Sequence, residues 1–429
     1  MNATPARSSP DRRALARWLE HPWVLAPWCV LAAFGAYACM YGFRKPFTAG
    51  TYSDTEFGLN LKGWLVTSQV LGYTISKFIG IKVIAEMTPA RRANTLLGLV
   101  AAAQGALLLF AFVPAPYNAA CLFLNGLPLG LVFGLVLGFL EGRQMTELFV
   151  AGLCASFILA DGVTKTVGAS LLRVGVTEAW MPFSAGLVFI APLAFFVWML
   201  RQIPAPTHFD IAERSERTRM TRHDRLAMIK RHGVGLMLIV LAYLLITILR
   251  SFRADFAPEI WAGLGLGQQP AVFTYSEMWV ALGVIAATGL LVLVRDNRSA
   301  FLFAMGLSTV GLGMAALALA LQRSGILPPF TFMVLLGLGM YVPYVAIQTT
   351  VFERLVALTR ERGNIGFLMY LADSIGYLGY AAVMMARTVF PQRENFLAVF
   401  LSVSPWLVGG AALAMVVAGG LYARKTRRP

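Results

Sequence analysis

"QIPAPTHFDIAERSERTRMTRHDRLAMIKRH", residues 202–232, is the one long polar segment of an otherwise apolar chain. It begins with prolines and carries charge throughout. On either side of it run apolar stretches of about 20 residues, each long enough to cross the roughly 30 Å hydrocarbon layer as a helix. Six precede it, at approximately 23–43, 61–85, 93–113, 120–142, 149–172 and 181–201. Six follow, at approximately 233–254, 271–294, 299–321, 327–352, 363–386 and 397–421. The expected fold is therefore all-α and integral to the membrane, twelve transmembrane helices in two pseudo-symmetric six-helix bundles. A basic amino-terminal segment (1–22), a first bundle (23–201), a linker (202–232), a second bundle (233–421) and a basic tail (422–429) complete the layout.

Composition requires the membrane. Hydrophobic residues are 58% of the 429, charged residues 13%, and mean hydropathy is +0.68. No water-soluble core hides that much apolar side chain. A net charge of +15 raises the question of nucleic acid, and the placement of the 36 Lys and Arg decides it. Most sit in the two terminal segments, the linker and the short loops on the same side, as the positive-inside rule places them. The largest clusters are Arg7, Arg12, Arg13 and Arg17, then Arg214 to Arg231, then Arg424 to Arg428. Anionic lipid heads are the expected partner of these clusters, not nucleic acid, and both termini are expected in the cytoplasm. Residues 1–22 lack the apolar core and cleavage site of a secretory signal, so the first span is expected to be retained.

The halves repeat. "LADGVTK" (159–165) in the fifth span recurs as "LADSIGY" (371–377) in the eleventh, and a glutamate lies twenty residues before each aspartate, Glu141 and Glu353. Spans four to five and ten to eleven are thus equivalent. Two six-helix halves joined by a cytoplasmic linker resemble the major facilitator superfamily, which implies a substrate site between the halves near mid-membrane. The fourth span, "GLPLGLVFGLVLGFLEG" (126–142), sets glycines at 126, 130, 134, 138 and 142. That is a smooth ridge for close helix packing, with a sliding surface as the other use.

Charge inside a span is expensive, so such residues are candidates for function. They are Arg44, Lys77, Asp161, Lys165, Arg250, Glu277 and Asp373. Two have competing structural readings. Lys165 lies one turn after Asp161, so the two either neutralise each other or face a ligand. Lys77 either snorkels to the interface or points into a cavity. Counting Arg44, Lys77, Lys165 and Arg250 against Asp161, Glu277 and Asp373 predicts a cavity of charge +1. Arg44 in "YGFRKPF" (41–47) and Arg250 in "ILRSFRADF" (248–256) occupy the ends of equivalent spans. Guanidinium groups supplied by both halves would clamp an oxyanion, because their planar forks match phosphate or carboxylate.

The chain also resembles the organophosphate:phosphate antiporters, carriers of glycerol-3-phosphate and hexose phosphates. The family's first-span motif is matched by "YACMYGFRK" through Tyr37, Tyr41, Arg44 and Lys45, its second-span motif by "YTISKF" through Tyr73 and Lys77, its seventh by Arg250 with Asp255, and its eighth-span glutamate by Glu277. The likeness covers the twelve-span layout, with motif agreement in spans one, two, seven and eight. In the fifth span Asp161 stands where the family has a histidine, and the loop "GIKVIAEMTPARR" (80–92) keeps only the approximate register of its basic residues.

The resemblance implies a bacterial inner-membrane secondary carrier, monomeric, that moves a small organic anion by alternating access. Arg44 and Arg250 would bind the phosphoryl group, and Lys77, Tyr37, Tyr41 and Tyr73 would add donors. Lys45 and Asp255 would close the outer gate. A proton-coupled carrier of another polar solute is the alternative, with Asp161, Asp373 or Glu277 as the titrating group. No G-x4-G-K-[ST] loop occurs, the four histidines lie in interfacial or linker segments, and Cys29, Cys39, Cys121 and Cys154 show no ligand spacing. Neither enzyme, ATP-driven pump, metal nor cofactor is expected.

Overall fold

A computed structural model describes residues 18–19, 21–52, 61–85, 87–140, 146–205, 222–267, 269–359, 365–389 and 396–425. Most of the linker, with Arg214 to Arg219, the cluster Arg7 to Arg17, and Arg427 with Arg428 lie outside these residues.

Twelve long helical spans follow one another, and the described residues contain no strand. Span 1 is Pro22–Tyr41, span 2 Leu61–Ala85, span 3 Pro89–Phe112, span 5 Thr146–Arg173 and span 6 Met181–Arg201. Span 7 is Arg222–Asp255, span 8 Ala271–Val292, span 9 Asn297–Arg323, span 11 Ile365–Val389 and span 12 Phe396–Lys425. The helix of span 7 thus starts inside the segment read as linker. Ten spans are long and apolar enough by themselves to cross a bilayer. The other two, spans 2 and 5, are those carrying Lys77 and Asp161 with Lys165.

Spans 4 and 10 are both interrupted. Span 4 is Asn118–Leu129 followed, after a turn at Gly130 and Leu131, by Val132–Leu140. Pro128 lies at the break and lacks the N–H the ladder needs. Span 10 runs Pro329–Ala346, then a π turn Ile347–Val351, then Phe352–Thr359, with Pro343 just ahead of the wide turn. Each still forms one span, as its apolar stretch predicts, and the interruption gave no signal because apolar composition does not register the backbone hydrogen-bond pattern.

Packing within one half repeats in the other. Span 1 packs on 5 and 6, span 2 on 4, and span 3 on 4 and 6. Correspondingly, span 7 packs on 11 and 12, span 8 on 10, and span 9 on 10 and 12. The halves meet chiefly through two pairs, span 2 with 11 and span 5 with 8, which a twofold axis exchanges. Glycine makes these approaches possible. A Cβ at Gly162 would lie 2.4 Å from the Phe273 carbonyl oxygen across the halves, and one at Gly126 would lie 2.2 Å from that of Gln69. Gly126 and Gly130 face span 2 while Gly138 faces Arg92, so these glycines are packing surfaces. The outer faces carry Phe112, Val310, Leu413 and Trp406 exposed, as a surface in contact with acyl chains requires.

Candidate functional site

Arg44 is placed by backbone rather than by helix. Span 1 ends at Tyr41, and the chain turns through Gly42–Lys45 into a 3-10 turn, Pro46–Ala49, all of it buried. Irregular backbone at this depth needs partners for its carbonyls. Gln69 on span 2 donates to the Arg44 carbonyl at 2.9 Å, and Asn125 on span 4 donates to that of Phe43 at 3.0 Å. Gln69 also donates to the Asn125 side chain at 2.8 Å, joining the two amides. The turn is thereby fixed with the Arg44 guanidinium 3.7 Å from the centre of the Tyr73 ring.

Arg250, five residues before the end of span 7, lies 4.5 Å from the centre of the Tyr344 ring and donates to the Tyr377 hydroxyl at 3.2 Å. Both arginines line one narrow cavity between the halves, together with Tyr41, Lys45, Asp161, Asp255, Tyr341, Tyr377 and Tyr380. They are 3% and 6% exposed, and the Nε of each lacks a hydrogen-bond partner.

The other buried cations are paired. Lys45 meets Asp255, Lys62 meets Glu259 at 2.5 Å, Lys77 meets Asp373 at 2.8 Å, Lys165 meets Asp161, and Arg253 meets Glu277 at 2.7 Å. Among the described residues, Arg44 and Arg250 have no carboxylate partner. Seven cations (these two and the five paired ones) stand against five carboxylates, so 7 − 5 leaves +2. The expected cavity charge of +1 is corrected, because it set Glu277 against the site without the Arg253 that neutralises it. The excess resides on the two arginines. Burying charge without a partner is costly, so their position is one that an anion stabilises.

Three of the five pairs cross between the halves. Lys45–Asp255 and Lys62–Glu259 lie at the end of the molecule away from the chain termini, where Tyr380 also donates to Asp255 at 2.8 Å and Lys62 to the Thr48 carbonyl at 2.9 Å. That end is closed. Lys77–Asp373 lies deeper, where spans 2 and 11 meet. Asp373 is a hub, accepting hydrogen bonds from Lys77, from Tyr243, from Gln348 at 3.0 Å and from Tyr344 at 3.5 Å.

The remaining expected site residues divide. Tyr41 lines the cavity, and Tyr73 stacks on Arg44 and packs edge-on against Tyr377, 5.1 Å between ring centres. Tyr37 sits a layer back, against Tyr41 and Phe133. Asp161 reaches the cavity, but Lys165 is occupied by it, one turn along the same helix. Lys77 does not snorkel; it is 3% exposed and bonded across the halves. Glu277 is held within its own half by Arg253, which also donates to the Met333 carbonyl at 3.0 Å, tying spans 7, 8 and 10. A Cβ at Gly162 would lie 3.0 Å from the Glu277 Cβ, so the residue sits at the seam of spans 5 and 8.

Sequence reading did not single out Lys62, Glu259, Arg253, Tyr243, Tyr341, Tyr344, Tyr377, Tyr380 or Gln348. Spacing offered a signal for four of them: Tyr341 and Tyr344, like Tyr377 and Tyr380, are three apart and so share a helix face.

A family model described as "Family of unknown function (DUF5690)" matches residues 46–426. No curated protein matches the sequence. Among solved structures, one titled "Crystal structure of D-xylose-proton symporter" superposes with a TM-score of 0.57 at 15% identity, covering 92% of this chain and 97% of that one. At that identity the likeness is one of fold: the chain is an all-α, multi-pass membrane protein with the major facilitator fold.

Proposed function

This chain belongs to the DUF5690 family, and from its own site we propose that it is a secondary carrier for a small organic anion, a phosphate ester or related dianion. The observation that supports this most is the pair Arg44 and Arg250, supplied by opposite halves, lining one inter-bundle cavity and lacking carboxylate partners. An excess of two positive charges is matched by a dianion. Tyrosine faces around both guanidinium groups hold them by cation–π contact, leaving N–H groups for ligand oxygens.

The same charge count favours exchange over one-way passage. Enclosing an excess of positive charge costs several kcal/mol, so the carrier reorients more readily with an anion bound. Lys45–Asp255 and Lys62–Glu259 form the gate at the end away from the termini, and must part for the site to open there. Positive-inside placement of the basic segments puts the termini in the cytoplasm of a bacterial inner membrane, so this gate faces outward. The reading with Asp161, Asp373 or Glu277 as a titrating group has less support, because each already holds a lysine or arginine.

Counterflow tests the proposal. Proteoliposomes loaded with unlabelled phosphate, glycerol phosphate or a dicarboxylate should accumulate the labelled form of the recognised anion, and Arg44→Lys or Arg250→Lys should abolish this. Counterflow of wild-type size in either variant overturns the clamp.

A further inference from the structure

The two arginines share a neighbour that no part of the anion clamp requires. Tyr377 is 5% exposed, and its ring centre lies 5.9 Å from Arg44 Cζ, 6.0 Å from Arg250 Cζ and 6.0 Å from Lys77 Nζ. Its hydroxyl oxygen acts as acceptor, taking the Arg250 Nη2 hydrogen bond at 3.2 Å. From span 1 it faces Arg44 and Tyr41, from span 2 Tyr73 and Lys77, and from span 7 Arg250. Tyr344 of span 10 lies against Arg250 on the same cluster, and Asp373 sits one turn earlier on its own helix. Asp373 neutralises Lys77. No carboxylate among the described residues neutralises the two arginines, and the Tyr377 ring lies within 6.0 Å of both, its hydroxyl bonded to Arg250.

We propose that Tyr377 is a proton site of the carrier: with no substrate bound its phenolate holds Arg44 and Arg250, and it takes up one proton when an anion displaces it. The inference rests on the anion-carrier reading and adds the coupling to it. An opposite charge within ~4–6 Å favours the ionised form of a group, and here two such charges are otherwise uncompensated. The step balances simply: one O–H bond forms at Tyr377 with a proton from the aqueous side that delivers the anion, the Arg250–phenolate contact is exchanged for Arg250–anion, and nothing is oxidised. The two positive charges are thus met by turns, by an internal phenolate in the empty site and by a transported anion in the filled one. Each anion enters with a proton, and anion affinity falls about tenfold per pH unit once the free site is ionised.

The test uses the full chain in detergent with sulfate, a dianion that does not itself titrate near neutrality. Near-ultraviolet tyrosinate absorbance of the wild type minus Tyr377→Phe is read at about pH 8.5, where ordinary phenols are still protonated. The expected result is a difference of one tyrosinate per chain that disappears on adding sulfate, with uptake of one proton per sulfate by calorimetry in two buffers of different ionisation enthalpy. Should Tyr377→Phe fail to fold, Arg250→Met takes its place, since loss of one guanidinium also removes the band. Identical absorbance in wild type and variant overturns the proposal, as does sulfate binding without proton uptake, which leaves the anion-carrier reading intact. A tyrosinate difference with no binding of sulfate, phosphate or carboxylates keeps the phenolate but overturns its displacement by an anion, and the carrier reading with it.

Discussion

Lys77 Nζ lies 2.8 Å from Asp373 Oδ2, so span 2 of the first bundle is joined to span 11 of the second by a buried ion pair. Its consequence for stability is asymmetric. Lys77→Met or Asp373→Asn alone leaves a buried partner uncompensated, and each should lower stability by about 3–5 kcal/mol, whereas the double variant should recover most of that loss. Thermal unfolding in detergent of the two singles and the double checks it; equal loss in the double and the worse single sinks the pairing argument.

Arg44 and Arg250 should behave in the opposite way. Replacing a buried charge that lacks a carboxylate partner removes a desolvation penalty, so Arg44→Met in the absence of anion should unfold at the wild-type temperature or above it, by about 1–2 kcal/mol. Binding of sulfate or phosphate should be lost in the same protein. Thermal shift with and without anion reads both quantities in one experiment.

The gate is open to a labelling test. Ser251 lines the cavity and is buried beneath the Lys45–Asp255 and Lys62–Glu259 pairs. In a cysteine-free background, Ser251→Cys should react slowly with an impermeant maleimide added from the side away from the termini. Adding Asp255→Asn and Glu259→Gln should raise the rate at least about tenfold, the equivalent of roughly 1.4 kcal/mol lost from the closed state. An unchanged rate would show that apolar contact alone closes that end.

Close packing of spans 2 and 4 predicts a further sensitivity. A methyl group at Gly126 would meet the Gln69 carbonyl oxygen at 2.2 Å, and backbone cannot swing aside as a side chain does. Gly126→Ala should cost about 1–3 kcal/mol. It should also weaken anion binding, since Gln69 holds the Arg44 carbonyl. Gly105→Ala, with open space at its Cβ, is the matched control.

Twelve spans and their duplication were legible in the sequence, because length and repeat are one-dimensional signals, and charge in apolar context singled out Arg44 and Arg250, which line one cavity. Pairings such as Lys62–Glu259 and Arg253–Glu277 were not, since which faces meet depends on helix rotation, and hydropathy leaves rotation open when a helix is apolar all round. Lys77 shows the limit well: its position in the sequence left snorkelling and burial both open, and its commitment to Asp373, 296 residues away, gave no signal at all. Nor was the depth of Arg44 readable, because it depends on two amides, Gln69 and Asn125, that take over carbonyls a helix would have satisfied.

The breaks in spans 4 and 10 bear on how the molecule moves. Aligned by Glu141 and Glu353, the turn at Gly130–Leu131 corresponds to Val342–Pro343, immediately before the wide turn at Ile347–Val351. Matching flaws in matching helices give each bundle a knee, and a rod with a knee flexes where an unbroken one resists. The segments beyond, Val132–Leu140 and Phe352–Thr359, are each held by a side chain, Arg92 on the Gly138 carbonyl and Arg354 on Asn297, so bending at either knee has to release that hold.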